Sequence, residues 1–201
     1  MNHYLYISIF AVAAYLIGSI SSAIITCRLM AIEDPRKTGS HNPGATNVLR
    51  HGGKKAAIIT LFGDMLKGLI PVLVAIQLQL EPLGIALVGL SALLGHVFPV
   101  YYGFKGGKGV ATYYGVILGI NWLTGLTALG IWLAVAALVK ISSLSALVSI
   151  FATPFILWHF SQSIEITAAT AVMSIIVFWR HKSNIQSLLQ GTEGKISNGT
   201  K

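Results

Sequence analysis

Apolar stretches close to twenty residues long follow one another along this chain, each ended by glycine, proline or basic residues. Crossing about 30 Å of hydrocarbon takes about 20 helical residues. Residues 4–27, 56–80, 82–102, 123–139, 141–158 and 164–179 read as such crossings, and 109–121 is a shorter seventh. Only 10% of the 201 residues are charged, against about 25% in soluble domains. A soluble fold of this length has no interior large enough for the rest, so the solvent is lipid. The pattern predicts an all-α, polytopic membrane helix bundle forming a single integral membrane domain over residues 1–201. The apolar run at the N-terminus lacks a basic leader and is too long for a signal peptide, so it reads as a mature span.

The charges choose an orientation. With all seven stretches crossing and the N-terminus outside, 13 of the 14 Lys and Arg residues fall on the inner side, and the last, Lys67, lies within a span. The outer side then carries Glu81 and Glu165. If 109–121 only dipped into the bilayer, Lys140 and the basic tail would fall on opposite sides. The positive-inside rule therefore predicts an outside N-terminus and a cytoplasmic C-terminus. The short crossing offers roughly 17–21 Å of helix at about 1.5 Å per residue, which puts its start in a recess below the inner surface. Within it, Gly115 and Gly119 form a G-x-x-x-G pair suited to close helix approach. The net charge of +8 punctuates apolar runs rather than coating a soluble face, which argues against nucleic acid. One cysteine excludes an internal disulfide and a cysteine metal cluster. No motif calls for a metal or cofactor, and none requires a protein partner.

Four polar stretches share the inner side. "GSHNPGATNVLR" places Ser40, Asn42, Asn47 and Arg50 in the first inner loop. Amides suit neutral hydroxyls and a guanidinium suits a phosphate, so the set reads as a pocket for a small polyol phosphate. "GHVFPVYYGFKGGKGVAT" supplies His96, Lys105, Gly106, Gly107, Lys108, Gly109 and Thr112; successive glycine amides near a helix start converge on an anion. It is no Walker A loop, because Tyr102 and Gly109 stand where that motif needs glycine and Ser or Thr. In "KISSLSAL", Ser142 or Ser143 is expected to cap the next helix, with substrate contact secondary. In "RHKSNIQSLLQGTEG", His181 and Asn184 share a face if the helix continues past the membrane, and residues 191–201 read as a loose tail. Asp64 and Lys67, three apart in the second span, read as an intrahelical ion pair facing the bundle interior.

Together these stretches resemble the bacterial acyl-phosphate-dependent glycerol-3-phosphate acyltransferase family, over nearly the whole chain. The resemblance implies an inner-membrane enzyme with its active site facing the cytoplasm. Its substrates would be glycerol 3-phosphate and an acyl phosphate, with no cofactor or metal. It also implies roles. Ser40, Asn42, Asn47 and Arg50 would bind glycerol 3-phosphate and organise the site. Lys105, Gly106, Gly107, Lys108 and Gly109 would cradle the acyl-phosphate head, His181 and Asn184 would support activity, and Glu193 would hold structure. The H-x-x-x-x-D pair that soluble-type glycerolipid acyltransferases share is absent here. His96 or a substrate phosphate therefore remains to take the hydroxyl proton. A small-anion transporter is the competing class; it needs polar groups across the whole bilayer, and the spans offer only Asp64, Lys67 and scattered Ser and Thr.

Overall fold

The structure, a computed structural model, describes residues 3–196. Lys201, counted above among the inner charges, lies outside them. Every regular element among the described residues is helical: α1 (His3–Gly18), α2 (Ser22–Leu29), α3 (Ala45–Gln77), α4 (Pro82–Val97), a 3-10 turn (Val100–Tyr102), α5 (Val110–Ile120), α6 (Trp122–Val139), α7 (Ser142–Ser161), α8 (Ile164–Arg180) and α9 (Lys182–Leu189).

The first predicted span is broken. Ser19 turns its hydroxyl back onto the Tyr15 carbonyl at 2.8 Å, and Ser21 caps α2 by accepting the Ile24 N–H. Serines beside a glycine compete with the helix for its own backbone groups, and the break leaves the Ile20 carbonyl open to a side chain. The second span also begins earlier than expected. α3 starts at Ala45, so Asn47 and Arg50 stand on helix rather than loop. Gly53, at φ 79° and ψ 177°, then interrupts it just before the apolar run. Pro82 at the first turn of α4 fits a helix start, where a missing N–H costs nothing.

Among the described residues, five segments are long and apolar enough to cross a bilayer: Tyr4–Leu29, Ala45–Gln77, Pro82–Tyr102, Trp122–Val139 and Ser142–Ser161. α8 and α9 together make a sixth, bent by 61°, and the 11-residue α5 is the short apolar helix. α5 packs backbone to backbone on α3. A Cβ on Gly68 would overlap the Thr112 carbonyl, and one on Gly115 would overlap the Met65 carbonyl, the close approach that small residues permit. Tyr113, Val116 and Ile117 bury fully around that contact. The exterior is apolar instead: Phe155 is 66% exposed and Ile175 68%. Side chains of this kind belong against lipid, where no interior is needed to shelter them.

Candidate active site

The loops that break these helices meet at one end of the bundle. Thr46 Oγ1, at the start of α3, lies 3.3 Å from Ser142 Oγ at the start of α7. The Gly103–Gly109 loop reaches both α8 and α9. The segment after α9 folds back over the set, with Ile196 N–H donating to the Lys140 carbonyl at 2.7 Å. The expected loose tail is thus ordered through residue 196, because its backbone and Glu193 find partners on the bundle.

The glycine loop is gripped from two sides. Arg180, the last residue of α8, donates from Nη2 to the Gly106 carbonyl at 2.9 Å and from Nε to the Gly107 carbonyl at 3.2 Å. On the other side the Gly107 N–H donates to the His96 carbonyl at 3.2 Å. No larger residue fits there: a Cβ on Gly106 would overlap that carbonyl, and one on Gly107 would overlap His96 Nε2. Gly109 sits at φ 88°, a left-handed conformation that starts α5. Among the described residues the N–H groups of Gly106, Lys108 and Gly109 make no internal hydrogen bond. The orphan amides of the first turn of α5 follow directly. Amides so placed at a helix start form an anion cradle.

Beside the cradle, Lys108 donates through Nζ to Asn184 Oδ1. Asn184 in turn donates to Glu193 Oε1 at 2.6 Å, and Ser143 Oγ donates to the same oxygen at 2.6 Å. Burial holds the Lys108 ammonium below the ordinary lysine value; Glu193 pulls it back up, while Arg180 and Arg50 push it further down. Cations crowded around a half-buried lysine leave a local excess of positive charge, which an incoming anion relieves. Arg50 lies exposed on the same side, near Gly194, and Lys105 is exposed at the mouth of the loop.

The first loop is organised by one residue. Asn47, 3% exposed, donates to the carbonyls of Pro35, Thr38 and Asn42 at 2.8, 3.0 and 3.2 Å and accepts the Ser40 N–H at 3.1 Å. Its amide is therefore committed to the loop backbone, and the Ser40 and Asn42 side chains remain at or near the surface. Thr112 is fully buried, with its hydroxyl donating to the Asp64 carbonyl at 2.9 Å. The structure places Thr112 in the α3–α5 packing rather than in the cleft.

Two local expectations change. Ser142 and Ser143 do not cap α7: the cap position is Ile141, and both hydroxyls are turned to Thr46 and Glu193 instead. His181 and Asn184 do not share a continuous helix, because α8 ends at Arg180 and the chain bends by 61°. His181, 3% exposed, turns Nδ1 to the Val177 carbonyl at 2.8 Å, and Asn184 takes the hydrogen bond from Lys108. Asp64 and Lys67 pair at 2.9 Å, and His96 Nδ1 lies 3.8 Å from the same carboxylate oxygen. The sequence placed this histidine with the glycine motif and not with that pair.

Comparison with known proteins gives the family. The sequence profile described as glycerol-3-phosphate acyltransferase matches residues 8–191. The chain belongs to the glycerol-3-phosphate acyltransferase family. It is 57% identical to the glycerol-3-phosphate acyltransferase of Thioalkalivibrio sulfidiphilus, over 96% of each chain. It is 52% identical to that of Methylococcus capsulatus, over 91% of this chain and 92% of the relative. Among solved structures, it superimposes on the crystal structure of PlsY, an integral membrane glycerol 3-phosphate acyltransferase, in its glycerol 3-phosphate form. That match has a TM-score of 0.91, 33% identity and 96% coverage of both chains. A second crystal structure, the lysophosphatidic acid form, matches with a TM-score of 0.88. Within this acyltransferase the residue that sequence reasoning passed over is Arg180. A basic residue ending the last span reads as a topology signal, and only the fold shows it holding the cradle.

Proposed function

We propose that the protein transfers a fatty acyl group from an acyl phosphate to the 1-hydroxyl of glycerol 3-phosphate, giving lysophosphatidate and phosphate, the first step of phospholipid synthesis. The ligand names of the solved relatives, glycerol 3-phosphate and lysophosphatidic acid, are the acceptor and the product of this reaction. The bundle crosses the bacterial inner membrane seven times, α5 being the short crossing. The N-terminus is outside, and the polar end faces the cytoplasm, where the charge asymmetry puts it.

The observation that carries this reading is the Gly106–Gly109 cradle beside Lys108, with Arg50 and Arg180 near enough to depress that lysine's pKa. An acyl phosphate is a mixed anhydride whose leaving group needs only charge neutralisation, so the site has mainly to position two phosphates. The hydroxyl oxygen attacks the acyl carbonyl carbon and the bond from that carbon to the phosphate oxygen breaks. The phosphate departs with the electron pair onto the cradle and Lys108. The hydroxyl proton passes to a phosphate oxygen. His96 is 7% exposed and closed off by Gly107, which leaves it beneath the loop rather than beside the hydroxyl. Ser40, Asn42 and Arg50 face the acceptor phosphate and hydroxyls, while Asn47 and Glu193 hold the two walls.

The test is phosphate release by protein in a lipid bilayer with glycerol 3-phosphate and palmitoyl phosphate, and palmitoyl-CoA in parallel, lysophosphatidate being confirmed by mass. Turnover with the acyl phosphate alone is expected. Turnover only with the thioester would assign the loop another donor. If neither substrate reacts in folded protein, the transporter reading returns and a flux assay decides it.

A further inference from the structure

The polar groups inside the bundle have one arrangement that the reaction does not require. Asp64 and Lys67 form an ion pair at 2.9 Å with both side chains almost fully buried. Lys67 Nζ also donates at 2.7 Å to the Ile20 carbonyl, the group freed by the break between α1 and α2. A buried ion pair is expensive to desolvate, and apolar residues of equal volume usually stabilise a bundle as well or better. Its worth lies in where it stands.

Residue 64 lies beside a neighbour of the anion cradle on each of its flanks, His96 on one and Thr112 on the other. Its carboxylate lies 3.8 Å from His96 Nδ1, and His96 abuts Gly107 through Nε2 while its own carbonyl takes the Gly107 N–H. Its main-chain carbonyl accepts the Thr112 hydroxyl at 2.9 Å, in the first turn of the helix that the cradle opens. Residues 106–109 are thus suspended between two points joined through one position on α3. Lys67 holds the carboxylate in place from the α1–α2 break. The linkage joins the α1–α2 break, α3, α4 and α5 with a single charge pair at its centre.

We propose that Asp64, held by Lys67 and acting through His96, is a positioning residue that sets the amide geometry of the cradle and thereby the affinity for the acyl-phosphate head. This inference rests on the acyl-phosphate reading above. None of the three side chains touches substrate.

Two measurements on protein in bilayer discs decide it. Hydrogen exchange compares the peptide spanning 103–112 with that spanning 123–139 in wild type, Lys67→Met and the neutral double variant Asp64→Asn/Lys67→Met. The double variant leaves no buried unpaired charge and so guards against loss of folding. Steady-state kinetics on the same samples give KM for palmitoyl phosphate and for glycerol 3-phosphate separately. In the double variant, exchange across 103–112 is expected to rise at least about fivefold with 123–139 unchanged. KM for palmitoyl phosphate is expected to rise about tenfold, and KM for glycerol 3-phosphate to stay within about twofold. A double variant with wild-type exchange and both KM values unchanged overturns the proposal. So does an exchange increase spread over every helix, which is the signature of a merely structural pair. Absence of wild-type turnover on palmitoyl phosphate would sink the proposed reaction instead, and the exchange comparison, which needs no activity, would still decide whether the pair orders the loop.

Discussion

Two chains of polar groups run through this molecule, and they differ in what they leave unsatisfied. The outer one, Lys108–Asn184–Glu193–Ser143, lies at the polar end of the bundle and passes hydrogen bonds from a cation to a carboxylate. Its lysine is surrounded by more positive charge than Glu193 offsets. The inner one, Lys67–Asp64–His96, is enclosed: the ammonium has a carboxylate and a carbonyl, His96 Nδ1 lies near the carboxylate without a hydrogen bond, and nothing reaches the set from outside. An open network with surplus cation is suited to receive an anion, and a closed one is suited to hold a shape. The same residue types do different work because one set lies where an anion can reach it and the other is sealed inside the bundle.

Breaking the closed network should cost the most. Asp64→Leu leaves Lys67 charged and unpaired in the bundle interior, and loss of one partner of a buried pair typically costs about 3–5 kcal/mol. Denaturant unfolding in detergent should show that loss for Asp64→Leu, with most of it recovered in Asp64→Leu/Lys67→Leu. Equal losses in the two variants would mean that the pair contributes nothing through its charge.

The open network should respond in binding rather than stability. Lys108→Met is expected to lower kcat/KM for acyl phosphate about a hundredfold, or about 2.7 kcal/mol, while the unfolding midpoint stays near wild type. A drop in the midpoint with unchanged kinetics would reverse the comparison.

The smallest effect sharpens it. Glu193→Gln keeps an oxygen for Ser143 and Asn184 but removes the charge that raises the Lys108 pKa. An anion binds the protonated lysine, so affinity for acyl phosphate falls as pH rises through that pKa. With Glu193 neutral the pKa drops further, and the alkaline limb of the KM profile should move to lower pH, with only a few-fold change at neutral pH. Movement of that limb to higher pH would show that Glu193 does not act on Lys108 through its charge.

Much of this plan was legible along the chain, for reasons that are local. Apolar runs of bilayer length specify helices, because lipid leaves the backbone no other partner. Pro82 marks a helix start, and Gly115 with Gly119 marks a close approach. Asp64 and Lys67 pair at i, i+3, which spacing alone determines. The glycines and lysines of residues 103–109 declare an anion loop by their types.

What eluded the sequence depends on distant partners. Ser142 and Ser143 look like caps until Thr46 and Glu193 arrive from residues far away in the chain. The tail looks loose until the Lys140 carbonyl accepts the Ile196 N–H and the Ser143 hydroxyl donates to Glu193. The His181–Asn184 face presumed a straight helix, and the chain bends between them where Arg180 turns in to the glycine loop.

The sequence alone determined that the chain is a helical membrane bundle with a glycine- and lysine-rich loop between two of its spans, since hydrophobic length and residue type act over a few residues. Only the tertiary structure decided which cations hold the loop and which remain open to a ligand. That choice depends on residues 96 and 180 reaching the glycine loop from two different helices, where packing and not spacing sets the distance.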